Sequence, residues 1–112
     1  MQILIADDDA ISRRLATHAL TGCGADLSVA EDGNAAWLHI QKRRQSMVLI
    51  LDRQMPGMDG LDVCRRARLL PAFPPLYIVM VTSASDTADI TAGLDAGADD
   101  YVVKPFNAAE LK

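Results

Sequence analysis

Residues 47–60 read MVLILDRQMPGMDG. The unbroken apolar run from Val48 to Leu51 is the pattern of a strand buried on both faces. Asp52 stands where the run stops, and Pro56, Gly57 and Gly60 then turn the chain away. Open α/β sheets bind their ligands at the carboxyl ends of their strands, which is where this carboxylate falls. Taken alone, Asp52 reads as a strand or turn cap, and the rest of the chain decides between the two readings.

The stretches on either side repeat the motif. Residues 2–6 form a short apolar strand that runs into Asp7, Asp8 and Asp9. Helical spacing begins at Ala10, with Ile11, Leu15 and Ala19 on one face, and Gly22 and Gly24 stop it. Residues 27–30 form a second strand. Asp32, Gly33 and Asn34 turn the chain into a helix expected to carry Ala35, Trp37 and Leu38 inward, with Lys42, Arg43 and Arg44 near its C-terminus, where cations suit the dipole. Beyond the central strand, Asp59 caps a helix from about residue 60 to residue 69, and Asp62 lies three residues on. Pro71, Pro74 and Pro75 forbid regular structure until a continuous apolar strand over 76–81, which ends in Thr82 and Ser83. Ser85 or Asp86 starts a helix with Ile90 and Leu94 on its buried face, and Gly97 stands just past its end. A last strand over 101–103 is followed by Lys104, Pro105 and Phe106, and Asn107 and Glu110 fit the N-cap and third position of a further helix.

Strand and helix alternate five times with no hairpin signal and no internal repeat. The expected fold is therefore α/β, a doubly wound five-stranded parallel sheet with helices on both faces. Right-handed crossovers bring every strand's carboxyl end to one edge.

Composition sets limits on function. One chain of 112 residues accommodates one domain with one core. A net charge of -4 with no basic run gives no electrostatic footprint for nucleic acid or anionic lipid. No apolar run approaches the length of a membrane span and the N-terminus has no leader pattern, so the expected location is the cytoplasm. Cys23 and Cys64 have no paired spacing and read as reduced thiols. His18 and His39 lie in helical patterns with no ligand partner beside them, and neither is assigned a role.

On the common edge, Asp7 and Asp8 end the first strand, Asp52 the third, Thr82 the fourth and Lys104 the fifth. Two like charges about 4 Å apart repel by ~4 kcal/mol at an effective dielectric of 20, so clustered carboxylates call for a cation or a raised pKa. A hard divalent ion resolves this, and Mg²⁺ suits one or two carboxylates combined with waters and a phosphate oxygen. Lys104 adds a compact charge for another phosphate oxygen and Thr82 adds a donor. These are the parts of a phosphoryl-transfer site. With no Ser-His-Asp or Cys-His arrangement and no Walker loop, the candidate nucleophile is a carboxylate that becomes an aspartyl phosphate. Asp52 stands alone on the central strand, whereas the adjacent Asp7 and Asp8 suit a metal.

ILIADDD, VLILDRQMPGMDG, VMVTSAS and DDYVVKPF, in this order and spacing, resemble the response regulator receiver domain of two-component signalling. The resemblance covers almost the whole chain. It implies strand order 2-1-3-4-5 and a phosphorylation-dependent switch, rather than an enzyme with turnover, in which Asp52 accepts a phosphoryl group from a sensor histidine kinase or phosphotransfer protein. It further implies intrinsic self-phosphorylation and self-dephosphorylation. On the same resemblance, Mg²⁺ would be held by Asp8, Asp52 and the backbone carbonyl of Gln54, with Asp7 acting through water. The resemblance would have Lys104 pair with the phosphoryl group, and Thr82 hydrogen-bond to it and move the following loop. Tyr101 matches the family's aromatic switch position, and Pro105 matches a proline usually preceded by a cis peptide, which would aim Lys104.

Ser83 stands where the family usually has Ala or Gly, and Arg53 and Gln54 are placed to tune access of water to the phosphoryl group. Kinase specificity is expected on the first helix, over residues 11–15, and on the loop after the fifth strand. Residues 1–112 are expected to be one receiver domain with its fifth helix truncated, the N-terminal part of a longer regulator with an output domain that can pair as a homodimer. Two other classes are weighed against this reading. A Mg²⁺-dependent phosphohydrolase with an aspartyl nucleophile needs a second acid close after Asp52, and Arg53, Gln54 and Met55 offer none. A flavodoxin-like module would set a flavin phosphate against an acidic rim.

Overall fold

The structure is a computed structural model that describes residues 2–22, 24–71, 75–82 and 87–103. Its elements follow in the order β1 (Gln2–Ala6), α1 (Ala10–Leu20), β2 (Asp26–Ala30), α2 (Gly33–Gln41), β3 (Met47–Asp52), α3 (Gly60–Ala67), β4 (Leu76–Thr82), α4 (Thr87–Asp95) and β5 (Asp100–Val103). The strands form one sheet in the order β2-β1-β3-β4-β5, and every neighbouring pair is parallel. This is the expected topology.

Strand side chains alternate between faces, and this period of two divides the core. Leu4, Leu49, Leu51, Ile78 and Met80 point to one side, where Ala36 and Ile40 of α2 and Val63, Cys64 and Ala67 of α3 meet them. Ile3, Ile5, Ile50, Val79, Val81 and Val102 point to the other, against Ala16 and Leu20 of α1. Asn107 and Glu110, where the further helix is expected, lie outside the described residues.

Each of the first three helices starts on an aspartate. Asp9 Oδ1 accepts from the Ile11 amide and its Oδ2 from Ser12 Oγ; Asp32 accepts from the Ala35 amide and Asp59 from the Asp62 amide. Each cap satisfies a helix donor that has no intrahelical partner.

Helix burial does not follow the largest apolar residues, and in α2 and α4 the face differs from the one expected. In α1, Ile11 is 70% and Leu15 62% exposed, and the buried residues are Ala16 and Leu20. In α2, Leu38 is 54% exposed while Gly33, Ala36 and Ile40 are buried; Ala35 and Trp37 pack partly against the core. Contact at the helix start sets this phase: a Cβ on Gly33 would lie 1.7 Å from the Met58 carbonyl oxygen. With residue 33 held against the β3–α3 loop, residues 36 and 40 follow on the same face at i+3 and i+7, and Leu38 turns outward. In α4, Ile90 is half-buried and Leu94 exposed, and the face towards the sheet carries Gly93 instead. A Cβ there would come within 3.0 Å of the Tyr101 ring, so the helix approaches β5 through its smallest residue.

Candidate functional site

β1 and β3 lie side by side with Ala6 opposite Leu51, so the next residues of each, Asp7 and Asp52, leave the sheet together. Asp7, Asp8 and Asp52 each present a carboxylate oxygen, and the three oxygens lie within 4.8 Å of one another. Asp7 is only 6% and Asp52 8% exposed, whereas Asp8 faces solvent. Two buried acids and one open acid at this spacing form an oxygen-rich pocket of the kind that hard divalent ions take, with room left for water on the Asp8 side.

The surrounding backbone holds these acids in place. The Asp7 amide donates to the Ala30 carbonyl, Asp7 Oδ1 accepts from the Asp9 amide at 2.9 Å, and the Asp7 carbonyl accepts from Arg13 Nη1 at 2.7 Å. Beyond Asp52, the Arg53 amide donates to the Val81 carbonyl and the Arg53 carbonyl accepts from the Gly60 amide, both at 2.9 Å. A Cβ on Gly60 would lie 2.3 Å from the Asp52 carbonyl oxygen. The loop carrying Gln54 is thus folded back on the strand end, with buried Met55 anchoring it in the core and Gln54 exposed.

Thr82 ends β4 and is buried. In the β4–β5 ladder Tyr101 is opposite Met80 and Val103 opposite Thr82. Parallel partners share a face and residues two apart on a strand share it too, so Thr82, Met80 and Tyr101 lie on one side of the sheet. The Tyr101 ring lies on that side, against Gly93 of α4. The structure therefore gathers Asp7, Asp8 and Asp52, and sets Thr82 and Tyr101 on one face beside them. Lys104, Pro105 and Ser83 lie outside the described residues.

Two features of this region were not expected from sequence. Asp9, which reads as a third member of the acidic run, is the α1 cap; its spacing to Ser12 was the available signal. The Arg68 side chain ties α3 to the start of β5: Nε donates to the Gly97 carbonyl, Nη1 to the Leu76 carbonyl and Nη2 to Asp99 Oδ2, which also accepts from the Ile78 amide. Contacts between residues about 30 apart leave no local pattern to read. Cys64 is a free, buried thiol whose Sγ faces the Ala96 carbonyl at 3.4 Å. Burial pushes this thiol above its ordinary pKa, against the opposing pull of Arg68. Cys23 lies outside the described residues. Among the described residues, no helix is long and apolar enough to cross a membrane.

A parallel 2-1-3-4-5 sheet with a carboxylate trio at the ends of its first and third strands defines the receiver class of α/β switch domains. The response regulator receiver domain family matches residues 3–112, and the chain belongs to that family. It is similar to the DNA-binding response regulator MtrA of Mycobacterium tuberculosis (strain ATCC 25618 / H37Rv), 44% identical over 110 residues that make up 98% of this chain and 46% of that one. Among solved structures it resembles a response regulator from Chloroflexus aurantiacus, with TM-score 0.89 and 37% identity over 98% of this chain and 89% of that one. It also resembles the chemotaxis protein CheY4 of Vibrio cholerae, with TM-score 0.87 and 31% identity over 98% and 91%. The chain spans about half the length of the curated relatives it matches. It is a receiver domain of two-component response regulators, and the hydrolase and flavin readings are set aside.

Proposed function

We propose that this chain is a phosphorylation-controlled switch in which Asp52 accepts a phosphoryl group from a sensor histidine kinase or phosphotransfer protein in a Mg²⁺-dependent reaction. The observation that carries this reading is the near-buried Asp52, at the end of the central strand, within 4.8 Å of the oxygens of Asp7 and Asp8. An Asp52 carboxylate oxygen attacks phosphorus, the P–N bond of the donor phosphohistidine breaks, and the departing imidazole nitrogen keeps the electron pair and takes up a proton. Asp8, Asp52 and the Gln54 carbonyl would hold Mg²⁺, with Asp7 acting through water, and the ion would supply charge neutralisation at the phosphoryl oxygens. Lys104 supplies a second counter-charge, aimed by Pro105.

Thr82 donates its hydroxyl to the phosphoryl group, and Tyr101, on the same face of the sheet, follows the resulting shift. The shared face and the packing of Tyr101 on α4 at Gly93 support this coupling. The same site takes small phosphodonors and slowly loses its phosphoryl group to water. In the whole protein, the receiver is joined to a DNA-binding output domain, the function named for the MtrA relative, and the signal passes through pairing of two receivers. The exchange takes place in the cytoplasm, where the kinase has ATP.

The test is to incubate the chain with Mg²⁺ and acetyl phosphate and follow intact mass. A single labile phosphoryl adduct that is absent in Asp52→Asn is expected. Turnover of many donor equivalents without an adduct would assign a hydrolase instead.

A further inference from the structure

Six of the 11 lysines and arginines fall within residues 42–44 and 65–68, at the C-terminal ends of α2 and α3. Helices that return between parallel strands end at the edge where the next strand begins. These cations therefore gather at the sheet edge opposite the acidic rim. A concavity of about 440 Å³ opens beside the end of α2, with Leu38, His39, Lys42, Arg43, Arg44 and Gln45 in its wall and no carboxylate among its lining residues.

The ordinary explanation for cations here is compensation of the helix dipole. Arg43 already serves that purpose: its Nη1 donates to the Ile40 carbonyl at 3.0 Å in the last turn of α2, and its Nη2 to the Pro71 carbonyl at 3.1 Å. Lys42 and Arg44 are exposed and, among the described residues, make no ion pair. Their two charges are surplus to capping and stand on a hollow large enough for a small organic ligand. Outward-facing Leu38 gives the hollow an apolar wall, and the half-buried His39 ring stands next to it in sequence.

We propose that this concavity binds an oligophosphate group, either of a nucleotide or of inorganic polyphosphate, with Lys42 and Arg44 as its counter-charges and the Gln45 amide as a further donor. A guanidinium fork beside an ammonium group matches several closely spaced phosphate oxygens better than it matches one carboxylate. The hollow also has room for more than a single phosphate. The protein as a whole is acidic, so binding depends on these short-range pairs and weakens as salt screens them.

The test is a titration of the ¹⁵N-labelled chain in EDTA, which keeps divalent ions off both ligand and acidic rim, with ATP, tripolyphosphate and adenosine in turn. Saturable amide shifts centred on residues 38–45 are expected with ATP, and affinity should fall by about tenfold or more in the Lys42→Ala/Arg44→Ala double variant. Arg44→Gln alone should give a smaller loss, with amide positions elsewhere unchanged. Tighter binding of ATP than of tripolyphosphate assigns a nucleotide, and equal binding assigns the inorganic chain. Absence of saturable shifts, shifts of equal size with adenosine, or wild-type affinity in the double variant would overturn the proposal. Phosphorylation of Asp52 is a separate readout, so failure here leaves the phosphoacceptor reading untouched.

Discussion

Gly33→Ala tests how α2 holds the loop that follows Asp52. The added Cβ would lie 1.7 Å from the Met58 carbonyl oxygen, 2.6 Å from its carbonyl carbon and 2.8 Å from its Cβ. Non-bonded heavy atoms settle at about 3.5 Å, so α2 or the β3–α3 loop must retreat by about 1.5–2 Å. The obstruction is backbone and cannot rotate away. Overpacking of this kind costs ~1–3 kcal/mol. The caps at Asp32 and Asp59 flank the contact, and losing one adds ~1 kcal/mol. The gain from alanine over glycine in a helix offsets up to ~1 kcal/mol of this. A net loss of about 2 kcal/mol lowers Tm by roughly 10 °C for a domain of this size. The same displacement moves the segment carrying Gln54, so labelling by acetyl phosphate should slow as well. Thermal melts by circular dichroism and a labelling time course measure both. An unchanged Tm together with an unchanged labelling rate would refute the argument.

Other expectations follow from the helix faces and the long-range contacts. Ile40→Ala should cost about 2–5 kcal/mol in urea unfolding, whereas Leu38→Ala should stay within about 0.5 kcal/mol; equal costs would restore the inward placement of Leu38. Arg68→Ala leaves the Gly97 and Leu76 carbonyls and Asp99 without their guanidinium partner. Because Arg68 is partly exposed, water replaces much of what is lost, so stability should fall by only about 1–2 kcal/mol, with hydrogen exchange quickening first at the start of β5. Cys64 should resist iodoacetamide in the native state at neutral pH and react fully in urea, because burial both shields the thiol and disfavours its thiolate. Rapid native-state labelling there would contradict its placement.

The sheet was legible because each strand advertises itself twice, by a short apolar run and by the polar residue that ends it. Asp7, Asp52 and Thr82 mark the ends of strands one, three and four, and parallel topology alone brings them to one rim. The cap at Asp59 was legible for the same local reason, and at Asp32 the turn into the helix was. Helix phase was not. Large apolar residues suggested inward faces through Leu38 and Leu94, yet burial fell to Gly33, Ala36 and Ile40, and to Gly93. At Gly33 and Gly93 the decisive contacts are with Met58 and Tyr101, residues outside the helix concerned that set how closely it can approach. Pattern within one helix does not carry that information. The Arg68–Asp99 tie was hidden for the same reason.

The central claim is that Asp52 carries the phosphoryl group. Borohydride reduction converts an aspartyl phosphate to homoserine, which peptide mass spectrometry then places in the sequence. After incubation with Mg²⁺ and acetyl phosphate, homoserine is expected at position 52 and at neither 7 nor 8, with the yield abolished when EDTA replaces the metal. Homoserine at Asp7 or Asp8, or undiminished labelling in EDTA, would contradict the account.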